Sequence, residues 1–512
     1  MVALWLSGWL VSSCSSDGSA SEAASGAQGV GGSEVSSSGS GQGGSSAAGG
    51  SAAGAGAGGA NAGAGRAGSS GEAGSSGAAG AGPQCEPITT FETGLEPSAV
   101  LHVATTGSAE GTGTEQNPFG DIEAAAEAAG PGTAIRVHAG EYAGDIFLSD
   151  VVGMEQAPIW IGGAPGEARP VIGGAGSSEA LHVSGARYLV LHDLEIADTT
   201  ANGVNLDDRG DYEDAEALRH VVVRGLRFRD IGTGGNNDCL KISGANEFFV
   251  LGSEFVNCSV GGSNIDHVGC HEGLIVGNTF EGGGTGVQAK GGSRRVEIRG
   301  NVFRQNGGRA VNMGGATGFE FFRPPLDAAG DNYEARDIRV IANVFDRSTE
   351  VAAMPGCVEC LFAHNTVYLP TTRILRILQE TTTSGGFTFL PTSGGRVINN
   401  VFAYTRAEIT NGGRAINVGA GTSPTTFSYV NNLWYASDDV SGSDDVDYQG
   451  AMVTGTLVPA NPGFVAPANG DFRLQAESTA LGAGVVLAEA PQDNSGICYG
   501  SPPTVGAFER EP

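Results

Sequence analysis

The sequence predicts an all-β solenoid, a single-stranded parallel β-helix. Three observations carry that prediction. Short apolar–polar alternations recur through the chain, each closes on a large apolar residue, and in six of them an asparagine sits two places before it. The series runs RYLVLHDLEI ending at Ile196, RHVVVRGLRF at Phe228, NEFFVLGSEF at Phe255, HEGLIVGNTF at Phe280 and RRVEIRGNVF at Phe303. RDIRVIANVF at Phe345, CLFAHNTV at Val367, RVINNVF at Phe402 and YVNNLW at Trp434 continue it.

Alternation with a period of two is the strand signal, and it gives each unit short strands rather than helices. A recurrence of 22 to 27 residues between Phe228 and Phe303, and again from Phe345 to Val367, is the spacing of units that stack on one another. A leucine-rich solenoid would need regularly spaced leucines and a helical half, which are missing. The asparagines are Asn278, Asn301, Asn343, Asn365, Asn400 and Asn432. Asparagine suits a stacked turn because it tolerates left-handed backbone and its amide can hydrogen-bond the coil above.

The flanks differ in composition. Residues 15–84 are almost wholly Gly, Ala and Ser, so they are expected to form a disordered tether of roughly 45 Å r.m.s. span. The folded domain is then 85–512. Residues 1–14, MVALWLSGWL followed by Val11-Ser12-Ser13-Cys14, resemble a bacterial lipoprotein signal whose lipobox cysteine is acylated, although no Arg or Lys precedes the apolar run. That reading makes the chain an exported lipoprotein of the outer membrane or cell surface, touching membrane only through lipid on Cys14. No stretch approaches the ~18 uninterrupted apolar residues of a spanning helix.

Of eight cysteines, seven remain if Cys14 is acylated, and at most six can pair. Cys85 and Cys498 bracket the domain, Cys239, Cys258 and Cys270 lie close in sequence, and Cys357 and Cys360 suit a local disulfide. A lone CxxC without a second pair is weak evidence for zinc.

The formal charge is −29, and only two of the 27 basic residues are lysine, Lys241 and Lys290. An acidic chain with no basic stripe is a poor nucleic-acid binder. The same charge disfavours a polyanionic ligand unless Ca²⁺ or local arginines screen it.

The chain resembles the right-handed parallel β-helix proteins of the pectate-lyase-like superfamily over about residues 98–510. The likeness rests on the opening from His102 to Tyr142, the coils, and the closing NPGFVAPANGDFRLQAESTALGAG with VGAFE. It implies a short amphipathic helix capping the first coil, a monomer, and a polysaccharide or cell-surface glycan as partner. The fold hosts lyases, hydrolases, epimerases and non-catalytic adhesins, so the reaction stays open.

Stacked coils bring equivalent positions together about 4.8 Å apart. Lys241 and Asp266 both lie fourteen residues before the closing Phe of their coils, and Lys290 lies thirteen before its own. They should share one stack with Asp238, His267, His271 and Arg309. The resemblance to uronan lyases implies Lys290 as a base that removes the proton α to a carboxylate, with Arg309 or Arg323 as carboxylate partner and Lys241 and His271 beside it. Asp266, His267, Gln288, Arg323 and Arg376 are expected to bind substrate. Asn237 and Asp238 offer oxygen ligands to a Ca²⁺ ion. A glycosidase using Asp238 and Asp266 is the second enzymatic reading, and a non-catalytic glycan-binding surface is the alternative. His267 and His271, four apart, would share a strand face. Two long insertions, 318–337 and 373–391, are expected to wall the site, with Phe321, Phe322 and Tyr333 either clamping sugar or packing the loop down. Asp207, Asp208 and Asp211 read as a solvated acidic loop.

Overall fold

The computed structural model describes residues 85–510, except 175 and 411–413. The expected signal, Cys14 and the tether therefore lie outside the described residues. The described chain is a right-handed parallel β-helix. A short helix, Ile122–Ala128, closes its first coil: Asp121 caps it by accepting from the Ala124 N–H at 2.7 Å, and Ile122 and Ala125 point into the core.

Each coil turns through three strands. The first ladder includes Leu240–Ser243, Ser263–Val268, Thr285–Lys290, Arg309–Met313, Glu350–Pro355 and Arg373–Leu378. The second includes His271–Val276, Ser293–Arg299 and Ala335–Ile341. The third is an 11-stranded parallel sheet of short strands from Glu141–Ala143 to Leu433–Ala436. Along the first ladder Val204, Leu240, Ile265, Val287, Val311, Ala352 and Leu375 align in register and face inward.

The apolar residue that closes each repeat forms the spine of the core. Phe228, Phe255, Phe280, Phe303 and Phe345 stack with ring centroids 4.6–4.9 Å apart, and Phe402 stacks on Trp434 at 4.0 Å. The asparagines form the expected amide ladder. Asn278, Asn301, Asn343, Asn365 and Asn400 each direct backbone N–H and side-chain Nδ2 to the Oδ1 of the next asparagine at 2.8–3.1 Å. The left-handed residue at each turn is the one before: Gly277, Gly300, Ala342, His364, Asn399 and Asn431. The ladder asparagine thus contributes its amide, and its predecessor makes the bend.

Three disulfides join Cys85 to Cys498, Cys239 to Cys258 and Cys357 to Cys360, leaving Cys270 free and buried. The closing segment folds back along the third sheet, where Phe464, Phe472, Val505 and Ala507 pack on Val344, Val401 and Leu433.

Candidate functional site: a polar groove on the first ladder

The outward face of the first ladder carries one continuous row. Phe147, His182, Asn205, Lys241, Asp266, Gln288, Asn312, Ala353, Arg376 and Asn417 are successive register partners. Alternation in a strand forces this: once Leu240 and Ile242 face the core, Lys241 faces out. Lys241 and Asp266 are neighbours, as the repeat count predicts. Lys290 is not the next rung. Gln288 takes that place and Lys290 aligns with Val268, because the turn that follows is one residue longer than in the preceding coil, whereas seating Lys290 on the row needs one fewer.

Lys290 still meets the row through its side chain. Its Nζ lies 3.3 Å from Asp266 Oδ1, while Lys241 Nζ lies 3.7 Å from Asp266 Oδ2 and 3.5 Å from Asp238 Oδ2. Neither Asp266 oxygen has a well-oriented hydrogen bond, so its two contacts are charge contacts, whereas Lys241 donates a hydrogen bond to Asp238 Oδ2. The two carboxylates are buried, with side chains 0% and 1% exposed for Asp238 and Asp266, whereas Lys241 is 28% and Lys290 14% exposed. The groove floor therefore presents two cations held from beneath by two anions.

Burial and the Asp266 charge push the Asp238 carboxyl up to about 6, against the pull of Lys241 and Lys290. Burial pushes Asp266 the same way, but Lys290 and Lys241 together hold it below its ordinary value. Burial also works against the Lys241 charge, and the carboxylates of Asp266 and Asp238 more than offset it, raising that amine.

A groove of about 430 Å³ opens beside this quartet, lined by Gln288, Arg309, Asn312, Glu350, Arg376 and Glu380 among others. Arg309 donates to Asn312 Oδ1 at 3.0 Å and Glu380 Oε1 at 2.9 Å. Glu350 gathers Arg309 at 3.5 Å, Arg376 at 3.4 Å and Arg373. Arg309 and Arg376 are thus in the groove, tied to carboxylates that sequence reasoning missed. Glu350 was legible as the register partner of Arg309; Glu380 and Glu334 stand in or beside insertions, where repeat counting has no hold.

The insertions do wall the groove. A Cβ on Gly315 would lie 3.0 Å from Gln288 Nε2 and 3.2 Å from Lys290 Cβ, so a larger residue there would press on both side chains. Buried Glu334 clasps the arms together: it accepts from the Gly291 N–H at 3.0 Å, the Thr317 N–H at 3.0 Å, the Thr317 hydroxyl at 2.7 Å and the Thr381 hydroxyl. Burial raises its carboxyl despite these donors.

Several expected site residues lie elsewhere. His267 faces the interior beside Ile242 and Ala289, its Nδ1 3.2 Å from Ser293 Oγ, and burial lowers it to about 4. The bend at Gly269, φ +61°, breaks the strand, so His271 falls on the second ladder rather than sharing a face with His267. His271 is buried against Asn246 and the backbone oxygens of Gly292 and Arg323, and burial lowers it to about 4. Arg323 forks onto buried Asp208 at 2.6 and 2.9 Å and covers the Tyr212 ring, so neither Arg323 nor Asp208 is solvated. Phe322 packs on Phe389, and Tyr333 lies under Arg336. These aromatics bury the arm instead of lining the groove.

Asn237 donates its amide to Gly234 O at 2.6 Å, and Asp238 accepts from the Ser263 N–H at 2.8 Å beside the Lys241 ammonium. Among the described residues no group of three His, Cys, Asp or Glu could hold a metal ion.

No protein-family model and no curated protein matches the chain. Among solved structures, pectate lyase Pel9A aligns at 16% identity over 82% of this chain and 98% of its own, with a TM-score of 0.45. The GH136 lacto-N-biosidase from Eubacterium ramulus aligns at 14% identity over 65% and 68%, with a TM-score of 0.44. The alginate lyase from Paenibacillus sp. str. FPU-7 aligns at 15% identity over 70% and 99%, with a TM-score of 0.40. The register of its own strands makes this chain a right-handed parallel β-helix, the fold of the pectate-lyase-like proteins.

Proposed function

We propose that the protein acts on a linear acidic polysaccharide laid lengthwise in the groove, with Lys290 as the base of a β-elimination. The observation that carries this reading is the outward row from His182 to Asn417, one polar rung per coil except at Ala353. A repeating surface suits a repeating ligand, and fixed cations on its floor suit sugar carboxylates. In the reaction Lys290, with its amine neutral, takes the proton α to a uronate carboxylate, the carbanion electrons form the C=C bond, the glycosidic C–O bond breaks, and the leaving oxygen takes a proton from water. Lys241 stands ready to hold the carboxylate whose charge grows in the transition state.

A second reading, binding without cleavage, is favoured by Asp266, which faces both amines and anchors them as a cationic clamp. With Cys14 acylated, either activity would operate at the cell surface. Incubation with a panel of polyuronates separates the readings. Cleavage yields the ultraviolet absorbance of unsaturated uronates, and Lys290→Arg, which keeps charge but removes a usable base, abolishes it. Binding without absorbance selects the clamp, and neither binding nor cleavage across the panel overturns the proposal.

A further inference from the structure

Away from the groove, on the second ladder, arginines gather around an open pocket of about 490 Å³ lined by Arg294, Arg295, Arg336, Asp337, Glu359, Gly394 and Arg396. Four guanidinium groups face two carboxylates there, so the lining carries a formal +2 (4 − 2) in a chain of −29. The lining residues are unequally committed. Arg295 is paired with Glu272, Arg396 donates to Glu489 at 2.8 Å, and Asp337 is occupied by Arg339 at 2.8 and 3.0 Å.

Arg294 and Arg336 are not so occupied. They are direct register partners on adjacent strands, a like-charge juxtaposition that is unfavourable in a sheet. Arg294 has no ion pair among the described residues, and its buried Nε has no hydrogen-bond acceptor. Arg336 has a buried Nε without a hydrogen-bond acceptor, and its only ion pair among the described residues is a 3.9 Å contact with exposed Glu359. The Tyr333 ring lies 4.7 Å from its guanidinium and holds the head in place without neutralising it. His271, the partner of Arg294 on the other side, is kept neutral by burial and by the arginine itself.

Two adjacent guanidinium forks with donors to spare, braced but not neutralised, form a receptor for an oxyanion. The geometry points to a second ligand site here, in which Arg294 and Arg336 together bind one sulfate- or phosphate-type group. That group could be free in solution or carried as an ester on a sugar chain. The pocket faces away from Lys290, across the Gly291–Gly292 turn that the 314–334 arm covers. The inference therefore does not rest on the groove reading.

Calorimetric titration of the purified chain with inorganic sulfate, inorganic phosphate and a sulfated disaccharide tests it, repeated with Arg294→Gln and Arg336→Gln. One saturable site that weakens at least tenfold in both variants is expected. Tighter binding of the disaccharide than of sulfate identifies a glycan ester as the source, and equal binding identifies the free ion. No saturable binding by any of the three, or unchanged binding in both variants, overturns the assignment. Melting in chloride guards against misfolded variants: removing one of two facing like charges should leave Tm unchanged or raised. A variant that melts lower shows that its arginine is structural and counts against the site. Comparing variant and wild type also cancels the general stabilisation that sulfate gives any protein.

Discussion

Lys290 Nζ and Asp266 Oδ1 stand 3.3 Å apart on adjacent coils, and the same aspartate faces Lys241 at 3.7 Å. Both lysines of a 512-residue chain therefore converge on one buried carboxylate. That arrangement makes Asp266 the keystone of the groove floor. Asp266→Asn should leave the Lys290 ammonium without a counter-charge and Lys241 with Asp238 alone. Breaking such a pair from its buried side costs about 3 kcal/mol, read as a fall in the denaturant midpoint at unchanged slope. A loss below 1 kcal/mol would show that solvent suffices for Lys290 and Asp238 for Lys241.

Asp238 is predicted to behave in the opposite way. Its carboxyl is raised to about 6, chiefly by burial, so the folded chain holds this proton more tightly than the unfolded chain. Between about pH 4 and 6 its contribution to stability must fall as pH rises. His267 and His271, both lowered to about 4 by burial, act with the other sign over much of that window. The comparison should therefore be wild type against Asp238→Asn, which cancels them. The wild type should lose stability relative to the variant as pH rises from 4 to 6, and parallel curves would refute the assignment.

The asparagine ladder gives a test of the fold. Asn343 accepts from the Asn301 N–H at 2.9 Å and Nδ2 at 3.0 Å, and donates to Asn365 Oδ1 at 3.1 Å and Ile298 O at 2.8 Å. Asn343→Ala strands buried donors on Asn301, a loss of about 3 kcal/mol. Urea unfolding of this variant should show it, and a near-neutral result would mean that water replaces the ladder amide.

Glu334 gives a test of the walls. It joins the turn after Lys290 to Thr317 and Thr381, one from each arm. Glu334→Ala should loosen both arms while sparing the coils, so limited proteolysis should cut within 314–334 or 379–391 before any change in far-ultraviolet circular dichroism. Cleavage no faster than in the wild type would show that Arg323 and Asp208 hold the arm without it.

The fold was legible because its determinants recur. Phe255, Phe280 and Phe303 mark the core spine by position alone, and Asn278, Asn301 and Asn343 mark the ladder. Counting back from Phe255 and Phe280 also paired Lys241 with Asp266 correctly. Counting stopped working where a coil broke its own period. A turn one residue longer than its predecessor, where Lys290 needed one residue fewer, put Gln288 on the row; strand alternation left His267 pointing inward, and the bend at Gly269 moved His271 to another face. Glu334, Glu380 and the Arg323–Asp208 fork were illegible for a different reason. They depend on where an insertion lands, and nothing periodic encodes a contact between residues 115 positions apart.

The central claim is that an acidic glycan lies along the row from His182 to Arg376 over the two lysines. Affinity measured against a length series of uronate oligosaccharides, for the wild type and for Lys241→Gln combined with Lys290→Gln, tests it most directly. Affinity should climb with each added sugar until the row is filled, and the double variant should lose at least tenfold. Affinity independent of length, or undiminished without the lysines, would contradict it.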